Sequence, residues 1–304
     1  MVLPDLEKQF FVPSTNGGKP SFRGSSLILP QPSLGSLPQL ALDLYVHTFR
    51  LELVGYAALR DTVPCVAGID VVEGEESRSG DGGFSWATQV YQTRPTNTQG
   101  ESITLVLPRA PIIQARKRHY LDALTAWIRQ SEFRDVLIVG AVDAAMRRDE
   151  ALRETNPFRS LVLPVREGTH LSPLLQRLGK SVRSYLEGTA PSTSSKPIPS
   201  IPHGGLSRSL LQHLSDSNPV SEPITSQDGP LPPVGALLVY TAEGENEGLA
   251  RRLGEVVSSL ITGSEEGKEG TGNGNGVQWK VPKSWRLGLM GDELGRERRG
   301  EMYG

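Results

Sequence analysis

The run DVLIVGAV, residues 135–142, decides the fold class of this chain. After Asp135 it carries no polar side chain, whereas a strand that faces water on one side alternates apolar and polar residues. A continuous apolar run of this length is typical of a strand in a sheet covered on both faces. The runs SITLVLP at 102–108 and GALLVYT at 235–241 have a similar character. Together they indicate a sheet that lies between two other layers.

Further strands alternate with helices along the chain. Strand patterns occupy residues 25–30, 53–59, 84–93 and 160–164, and apolar residues at helical spacing lie at 34–48, 113–131 and 246–261. Strands that alternate with helices predict an α/β fold. Because the strands are apolar on both sides, we expect a three-layer α/β/α sandwich with a largely parallel sheet.

Polar and low-complexity ranges interrupt this pattern. Residues 73–83, 189–233 and 262–276 are rich in glycine, proline, serine or charge, and a short helical pattern lies within the second range. Such segments bury too little apolar area to offset the entropy lost on ordering, so we predict disordered insertions. The sequence therefore predicts one domain over residues 1–290, followed by a flexible charged tail over residues 291–304.

Charge and cysteine content exclude several classes of protein. The formal net charge is −2, which provides no electrostatic case for binding nucleic acid or an anionic membrane. The single cysteine, Cys65, excludes an internal disulfide. We expect no export signal at the N-terminus and no membrane-spanning run of about 20 apolar residues. These features predict a cytoplasmic protein, with the nucleus open as a second compartment.

The usual catalytic and cofactor motifs do not occur with the required spacing. GSEEGK at 263–268 has too few residues between its glycines for a phosphate-binding loop, and GNGNG at 272–276 fails the dinucleotide fingerprint. Cys65, between Pro64 and Val66, is predicted to be a buried structural thiol. The histidines lie too far apart in sequence to predict a metal site: His47, His119, His170, His203 and His213. We therefore predict a binding function with no catalytic residue, cofactor or metal.

Several blocks in order carry a resemblance to a known family. They are FVPS at 11–14, LPQPSLGSLPQLALDL at 29–44, VGYAAL at 54–59, VPCVAG at 63–68, NPFRSL at 156–161 and WKVPKSWRLGLMG at 279–291. Taken together they resemble the second subunit of the eukaryotic proteasome assembly chaperone pair. The last block is the most specific, and the pair Gly204–Gly205 is a weaker match to a glycine-rich turn. The signature positions are Pro157, Phe158, Arg159, Trp279, Pro282, Trp285 and Arg286.

The resemblance implies a fold, partners and the absence of an activity. Members of this family form a heterodimer with a first chaperone subunit, and the dimer binds the α-subunit ring of the proteasome core particle during assembly. Their α/β sandwich is similar to that of nucleoside phosphorylases but lacks the catalytic equipment. The resemblance therefore implies a non-catalytic chaperone.

The last three residues, Met302, Tyr303 and Gly304, fit a hydrophobic–tyrosine–any-residue motif that proteasome-binding proteins often carry at the C-terminus. A pocket between two ring subunits can offer a lysine to the terminal carboxylate. The tyrosine ring can fill the pocket wall while its hydroxyl stays hydrogen-bonded. We expect these residues to bind the proteasome, at the end of a coil that reaches about 23 Å.

Two other functions stay open from the sequence. The fold suggests an enzyme of the nucleoside phosphorylase or nucleosidase type, although no phosphate or ribose site can be located. A proteasome cap or gate opener would share the chemistry of the terminal motif. The sequence does not identify the heterodimer interface or the ring pocket.

Overall fold

The computed structural model describes residues 9–14, 20–68, 70–72, 84–93, 102–147, 155–166, 168–186, 198–218, 229–244, 246–263 and 277–287. The strands within these ranges are β1 (Phe11–Pro13), β2 (Ser26–Pro30), β3 (Glu52–Ala57), β4 (Val66–Gly68), β5 (Phe84–Trp86), β6 (Thr88–Gln92), β7 (Ile103–Pro108), β8 (Asp135–Asp143), β9 (Phe158–Val162) and β10 (Val234–Thr241). The α-helices are α1 (Leu37–Phe49), α2 (Lys117–Gln130), α3 (Pro173–Ser181), α4 (Ser207–Asp216), α5 (Glu247–Thr262) and α6 (Lys283–Leu287).

Eight strands form one mixed sheet in the order β1-β3-β6-β7-β2-β8-β10-β9. The central strands β7, β2, β8 and β10 are parallel neighbours. Antiparallel pairing adds β6, β3 and β1 on one side and β9 on the other, so β3 also points the same way as the central four. The predicted α/β sheet is confirmed. Strands β4 and β5 form a separate antiparallel ribbon.

Side chains of β8 divide between two cores, one on each face of the sheet. Val136, Ile138 and Val142 belong to one core, whereas Leu137 and Val139 belong to the other. Helices α2 and α4 cover the first face, and α1, α3 and α5 cover the second. The sheet is therefore the middle layer of a three-layer sandwich, as the unbroken apolar run at 135–142 predicts.

Aromatic rings fill the core beneath α2. The Trp127 ring lies 5.1 Å from Phe10, 5.2 Å from Phe22 and 5.0 Å from Phe133, measured between ring centroids. Contacts of this kind add to the free energy of burial. Strand β1, which follows Phe10, was not predicted because three residues are too few to show a periodicity.

The range 189–233 needs a correction. The structure places helix α4 within it, and Leu210, Leu211 and Leu214 of that helix are at most 1% exposed. Ile198 and Ile201 are also buried, so this part of the proline- and serine-rich range contributes to the core. Residues 73–83, 264–276 and 288–304 lie outside the described part of the chain, and so do the predictions made for them.

Candidate functional site

The carboxyl ends of the parallel strands form the edge where open α/β sheets usually bind ligands. Here the chain itself occupies the part of that edge that follows β2. A Cβ atom on Gly205 would lie 1.9 Å from the carbonyl oxygen of Pro32, so the turn at 204–205 packs directly on the loop after β2. The backbone of Gly205 has a φ of +57°, which favours glycine. This close approach explains the glycine pair noted in the sequence.

The void that remains beside this turn is about 10 Å³ in volume. Its lining includes Pro30, Pro32 and Pro108 at the strand ends, together with Tyr120 and Leu206. A second cavity, of about 90 Å³, lies at the other end of the sheet near Leu163 and Leu231. Sites for small molecules measure roughly 300–1,000 Å³. Neither cavity has the size of a nucleoside site.

Polar groups at the edge hold loops in place. His203 has a left-handed φ of 53°, and its Nδ1 lies 2.8 Å from a carboxylate oxygen of Asp143. The Ala145 N–H donates to the same carboxylate at 2.8 Å, and this hydrogen bond together with His203 lowers the pKa of Asp143. The backbone N–H of Leu34 donates to the His203 carbonyl at 3.3 Å. These contacts account for His203 without a catalytic role.

A second group of polar side chains fixes the loop that follows β3. The carboxylate of Asp61 is 4% exposed and accepts a hydrogen bond from Arg116 Nε at 2.8 Å. The same carboxylate oxygen lies 2.9 Å from His119 Nδ1. Arg116 precedes α2 and His119 lies within it, so the loop is attached to the start of that helix.

Beside this loop, the ribbon β4–β5 carries the most concentrated exposed apolar surface among the described residues. Val66 pairs with Trp86 and Gly68 pairs with Phe84, so these positions share one face of the ribbon. The side chains of Val66, Phe84 and Trp86 are 58%, 54% and 43% exposed. We call this surface, formed by Val66, Gly68, Phe84 and Trp86, the ribbon face.

The preceding loop carries two further exposed apolar side chains. Leu59 and Val63 are 41% and 42% exposed. The Trp86 ring makes an edge contact with Tyr56, with centroids 5.8 Å apart. Contiguous exposed apolar surface is typical of protein interaction sites.

The opposite face of the ribbon is attached to the body by polar contacts. Ser85 is buried, and its hydroxyl donates to Gln89 Oε1 at 3.2 Å. Arg109 Nε donates to the same oxygen at 3.3 Å, and its Nη2 donates to Asp43 of α1 at 2.6 Å. Burial raises the pKa of Tyr91, which lies in this network. The chain Ser85–Gln89–Arg109–Asp43 therefore joins the ribbon to α1.

The first half of the signature block packs across α1 and α5. Trp279 is 9% exposed, and its ring lies edge-on to Phe49 at 6.1 Å. A Cβ atom on Gly254 would lie 2.8 Å from this indole, so the glycine in α5 makes room for the ring. The Lys280 N–H donates to Thr48 Oγ1 at 3.0 Å. Trp279 therefore has a packing role.

The second half of the block attaches residues 277–287, which we call the C-terminal strap, to the segment after β4. Pro282 forms an antiparallel bridge with Val72, and the Lys283 N–H donates to Val71 at 2.9 Å. The backbone and hydroxyl of Ser284 both bond to the carboxylate of Asp70. Trp285 is 6% exposed in the core beneath α1 and α5, and Arg286 lies in α6.

The signature residues 157–159 connect β9 to β10. The N–H of Tyr240 donates to the Pro157 carbonyl at 3.0 Å. Phe158 is 3% exposed, and the buried guanidinium of Arg159 donates to the carbonyls of Asn156 and Phe158 at 2.9 and 2.7 Å. These contacts fix the start of the edge strand β9, so the three residues have a structural role there.

The prediction that Cys65 is a buried thiol is wrong. It is only half-buried, because it lies next to the exposed ribbon rather than in a core.

Met302, Tyr303 and Gly304 lie outside the described residues. Among the residues that the structure does describe, no group of three or more His, Cys, Asp or Glu side chains is placed to hold a metal ion. No helix in those ranges is both long and apolar enough to cross a bilayer.

Sequence reasoning missed the ribbon face. The signal was available in Phe84-Ser85-Trp86, where two large aromatic residues alternate around a serine and so share one side of a strand. We predicted a single strand over 84–93, but the chain breaks at Ala87 into β5 and β6. That break turns the aromatic pair away from the main sheet.

Comparison with known proteins supplies the relationship. A model of the PAC2 family matches residues 27–249. Proteasome assembly chaperone 2 of Danio rerio is 26% identical over 274 residues, which covers 90% of this chain and 95% of that protein. Proteasome assembly chaperone 2 of Homo sapiens is 26% identical over 301 residues, which covers 93% of this chain and 98% of that protein.

A solved structure shares the fold. PbaA of Pyrococcus furiosus, an archaeal homolog of proteasome-assembly chaperone, superposes with a TM-score of 0.51 at 12% identity and covers 93% of this chain and 90% of its own. The described residues thus form an α/β sandwich that carries an exposed apolar ribbon. The chain belongs to the PAC2 family, which its match over residues 27–249 shows. The resemblance drawn from the sequence blocks is confirmed.

Proposed function

We propose that this protein is a non-catalytic chaperone that promotes assembly of the proteasome core particle. The observation that carries the proposal is the extent of the similarity: relatives named Proteasome assembly chaperone 2 align over 90% and 93% of this chain and over 95% and 98% of their own length. A match that covers both chains almost completely supports a shared role better than one confined to a single motif.

The geometry of the described residues supports a binding role over a catalytic one. At the carboxyl edge the turn at Gly205 packs directly on Pro32, and the cavity beside it measures about 10 Å³. Exposed apolar side chains are gathered on the ribbon face instead. A nucleoside phosphorylase would need room for a sugar, a base and a phosphate at that edge. Turnover of purine nucleosides by the pure protein would contradict this part of the proposal.

We further propose that the protein makes two kinds of contact with other subunits. The folded body forms a heterodimer with a first chaperone subunit, and the dimer binds the ring of proteasome α-subunits. In a chain that ends at Gly304, the residues Met302, Tyr303 and Gly304 enter a pocket between two ring subunits. Full burial of each of the two larger side chains contributes about 1.5–3 kcal/mol, which is useful only when the body is already docked. We propose the cytoplasm, and also the nucleus, as the compartments.

Capture of assembly intermediates tests the proposal. The full chain is expressed in cells with an N-terminal tag, next to variants Tyr303→Ser and Arg298→Ser, the second of which is a matched control in the same charged segment. We expect both variants to retain the partner chaperone, and only Tyr303→Ser to recover fewer α-ring intermediates. Equal recovery by all three proteins would remove the terminal motif from the mechanism.

The same preparations separate an assembly factor from a cap or gate opener. An assembly factor is enriched with immature particles that contain α-subunits. A gate opener binds mature core particles and accelerates hydrolysis of small peptides. Faster hydrolysis on addition of the pure protein would favour the second function over the proposed one.

A further inference from the structure

The ribbon β4–β5 is too small to be stable by its own pairing. It contains three residue pairs, and an isolated two-stranded hairpin is at best marginally stable in water. All three residues of β4 are exposed, so this strand buries little apolar surface. On the other strand, the buried Ser85 donates to Gln89, and the chain continues directly into β6. The position of β4 therefore depends on the segments at its two ends.

A pairing of two distant segments holds the chain that follows β4. Residues 70–72 lie beside residues 282–284 of the C-terminal strap, and we call this pairing the strap junction. Gly68 ends β4, and Asp70 is two residues further on, so at most about 7 Å of extended chain separates the ribbon from the junction. The junction therefore limits how far the end of β4 can move.

Each side of the strap junction satisfies polar groups of the other. The Ser284 N–H lies in the first turn of α6, where a helix offers it no partner, and it donates to the Asp70 carboxylate at 3.2 Å. The Ser284 hydroxyl bonds to the same carboxylate. The Lys283 N–H donates to the Val71 carbonyl at 2.9 Å. Because opening the junction breaks all of these bonds, the start of α6 and the segment after β4 should be ordered together.

The strap is held more firmly than the ribbon. Trp279 and Trp285 of the strap are buried in the core beneath α1 and α5. The large side chains of the ribbon, Phe84 and Trp86, are exposed instead. Burial of apolar surface is the main source of stability, so the ribbon depends on the strap more than the strap depends on the ribbon.

We propose that the C-terminal strap is a conformational switch for the ribbon face. Strands β4 and β5 stay paired while the strap junction is closed, and they separate when it opens. The ribbon face is then a continuous surface only in the closed state. By linkage, a protein that binds this face also favours the closed junction, and opening of the junction weakens that binding. The dependence of the ribbon on the strap does not require the proposed chaperone function.

Hydrogen exchange measures the pairing of the ribbon. Amide protons in hydrogen bonds between β4 and β5 exchange when the pairing opens, so their exchange rate follows the opening equilibrium. The rate is measured by mass spectrometry on the full native chain and on the variant Asp70→Ala/Ser284→Ala, in peptides that contain β5. Peptides from β8, in the middle of the main sheet, report on global unfolding in the same samples.

Two further variants complete the comparison. Lys283→Pro removes the N–H that bonds to Val71 but keeps the Asp70 and Ser284 side chains. Lys283 is the first residue of α6, a position where proline is well tolerated. The control Gln212→Ala/Asp216→Ala removes one carboxylate and a side-chain hydrogen bond of 2.7 Å on α4, away from the junction.

We expect exchange in β5 to be faster by about tenfold or more in Asp70→Ala/Ser284→Ala, because a hydrogen bond to a charged group shifts a local opening equilibrium by at least that factor. In Lys283→Pro, where a bond between neutral groups is lost, we expect an increase of about threefold or more. Exchange in β8 should stay the same in both variants. The control should match the native chain in both strands.

Other outcomes contradict the proposal in distinct ways. Unchanged exchange in β5 in both junction variants would show that the ribbon is held without the strap. Equal acceleration in β5 and β8 would show that the strap supports the whole fold and not the ribbon in particular. Exchange of β5 in the native chain at the rate of an unstructured peptide would show that a closed junction does not keep the ribbon paired. These results are obtained on the isolated protein, so they stand or fail independently of α-ring capture in cells.

Discussion

At the residue scale, the ion pair between Arg109 and Asp43 connects the loop after β7 to α1. The two side chains are 26% and 6% exposed, and the charged atoms lie 2.6 Å apart. Removal of one partner leaves a buried charge, which costs about 3–5 kcal/mol in comparable pairs. We predict that Arg109→Met lowers the free energy of unfolding by about 3 kcal/mol, as measured by urea denaturation.

The control for this prediction is the pair Arg118–Asp122, whose side chains are 83% and 53% exposed. Exposed pairs contribute about 1 kcal/mol or less, so Arg118→Met should change stability little. In the double variant Asp43→Leu/Arg109→Met no charge is left buried, and much of the loss should be recovered. A cost for Arg109→Met no larger than that for Arg118→Met would show that the pair does not hold α1.

Also at the residue scale, the partly buried His213 in α4 should make the stability of the fold depend on pH. Burial lowers the pKa of His213 below its ordinary value of 6.5, with Asp122 and Asp216 acting against this shift and Arg118 and Arg129 adding to it. The unfolded chain therefore binds a proton more readily than the folded one. Stability should be unaffected above pH 6.5 and should fall as the pH drops below that value.

The measurement compares the native chain with His213→Gln by urea unfolding at about pH 7.5 and about pH 5.5. The variant removes the titrating group, so its stability should fall less between the two values. An identical decrease in both proteins would assign the acid sensitivity to other groups.

At the scale of elements, Gly254 couples α5 to the strap. Glycine within a helix normally destabilises it by about 1 kcal/mol relative to alanine. At this position, however, a Cβ would lie 2.8 Å from the indole of Trp279. We predict that Gly254→Ala lowers the free energy of unfolding by about 1–3 kcal/mol, because the ring must leave its site.

The matched substitution is Gly179→Ala in α3, where a Cβ would meet no atom within 4 Å. There the helix propensity acts alone, and stability should rise by up to about 1 kcal/mol. Thermal unfolding of both variants gives the comparison. If Gly254→Ala were equally stabilising, the strap would not be packed on α5.

The helices and strands also show how much of the fold can be predicted from the sequence. Runs such as 135–142 and 235–241 are unambiguous because burial on two faces leaves no room for polar residues. Helix α3 was missed because nine residues give only two turns of periodicity. Helix α4 was seen as a pattern, but its proline- and serine-rich neighbours suggested a disordered range, although its three leucines reach the core.

At the scale of the whole molecule, the candidate surface depends on tertiary arrangement. The signature tryptophans are visible in the sequence, but their packing against α1 and α5 requires residues more than 200 positions apart to meet, as Lys280 and Thr48 do. The ribbon face requires β4 and β5 to pair across residues 69–83 and to turn away from the main sheet. No local periodicity carries that information.

The last prediction concerns this surface in complexes. Phe84 and Trp86 are 54% and 43% exposed, and the packing around them is limited to neighbours such as Tyr56. The variant Phe84→Ser/Trp86→Ser should therefore change the free energy of unfolding by less than about 1 kcal/mol, as surface substitutions usually do.

Capture of protein partners should respond differently. Burial of two large apolar side chains at an interface contributes about 1.5–3 kcal/mol each, so their loss should weaken binding at least tenfold. The control Met146→Ser/Leu186→Ser also removes two exposed apolar side chains, 60% and 51% exposed, but at positions away from the ribbon. Co-purification of the proposed partners, a first chaperone subunit and the α-subunits, should fall only in the ribbon variant. Equal loss in the control would mean that general surface hydrophobicity, and not the ribbon face, recruits the partners.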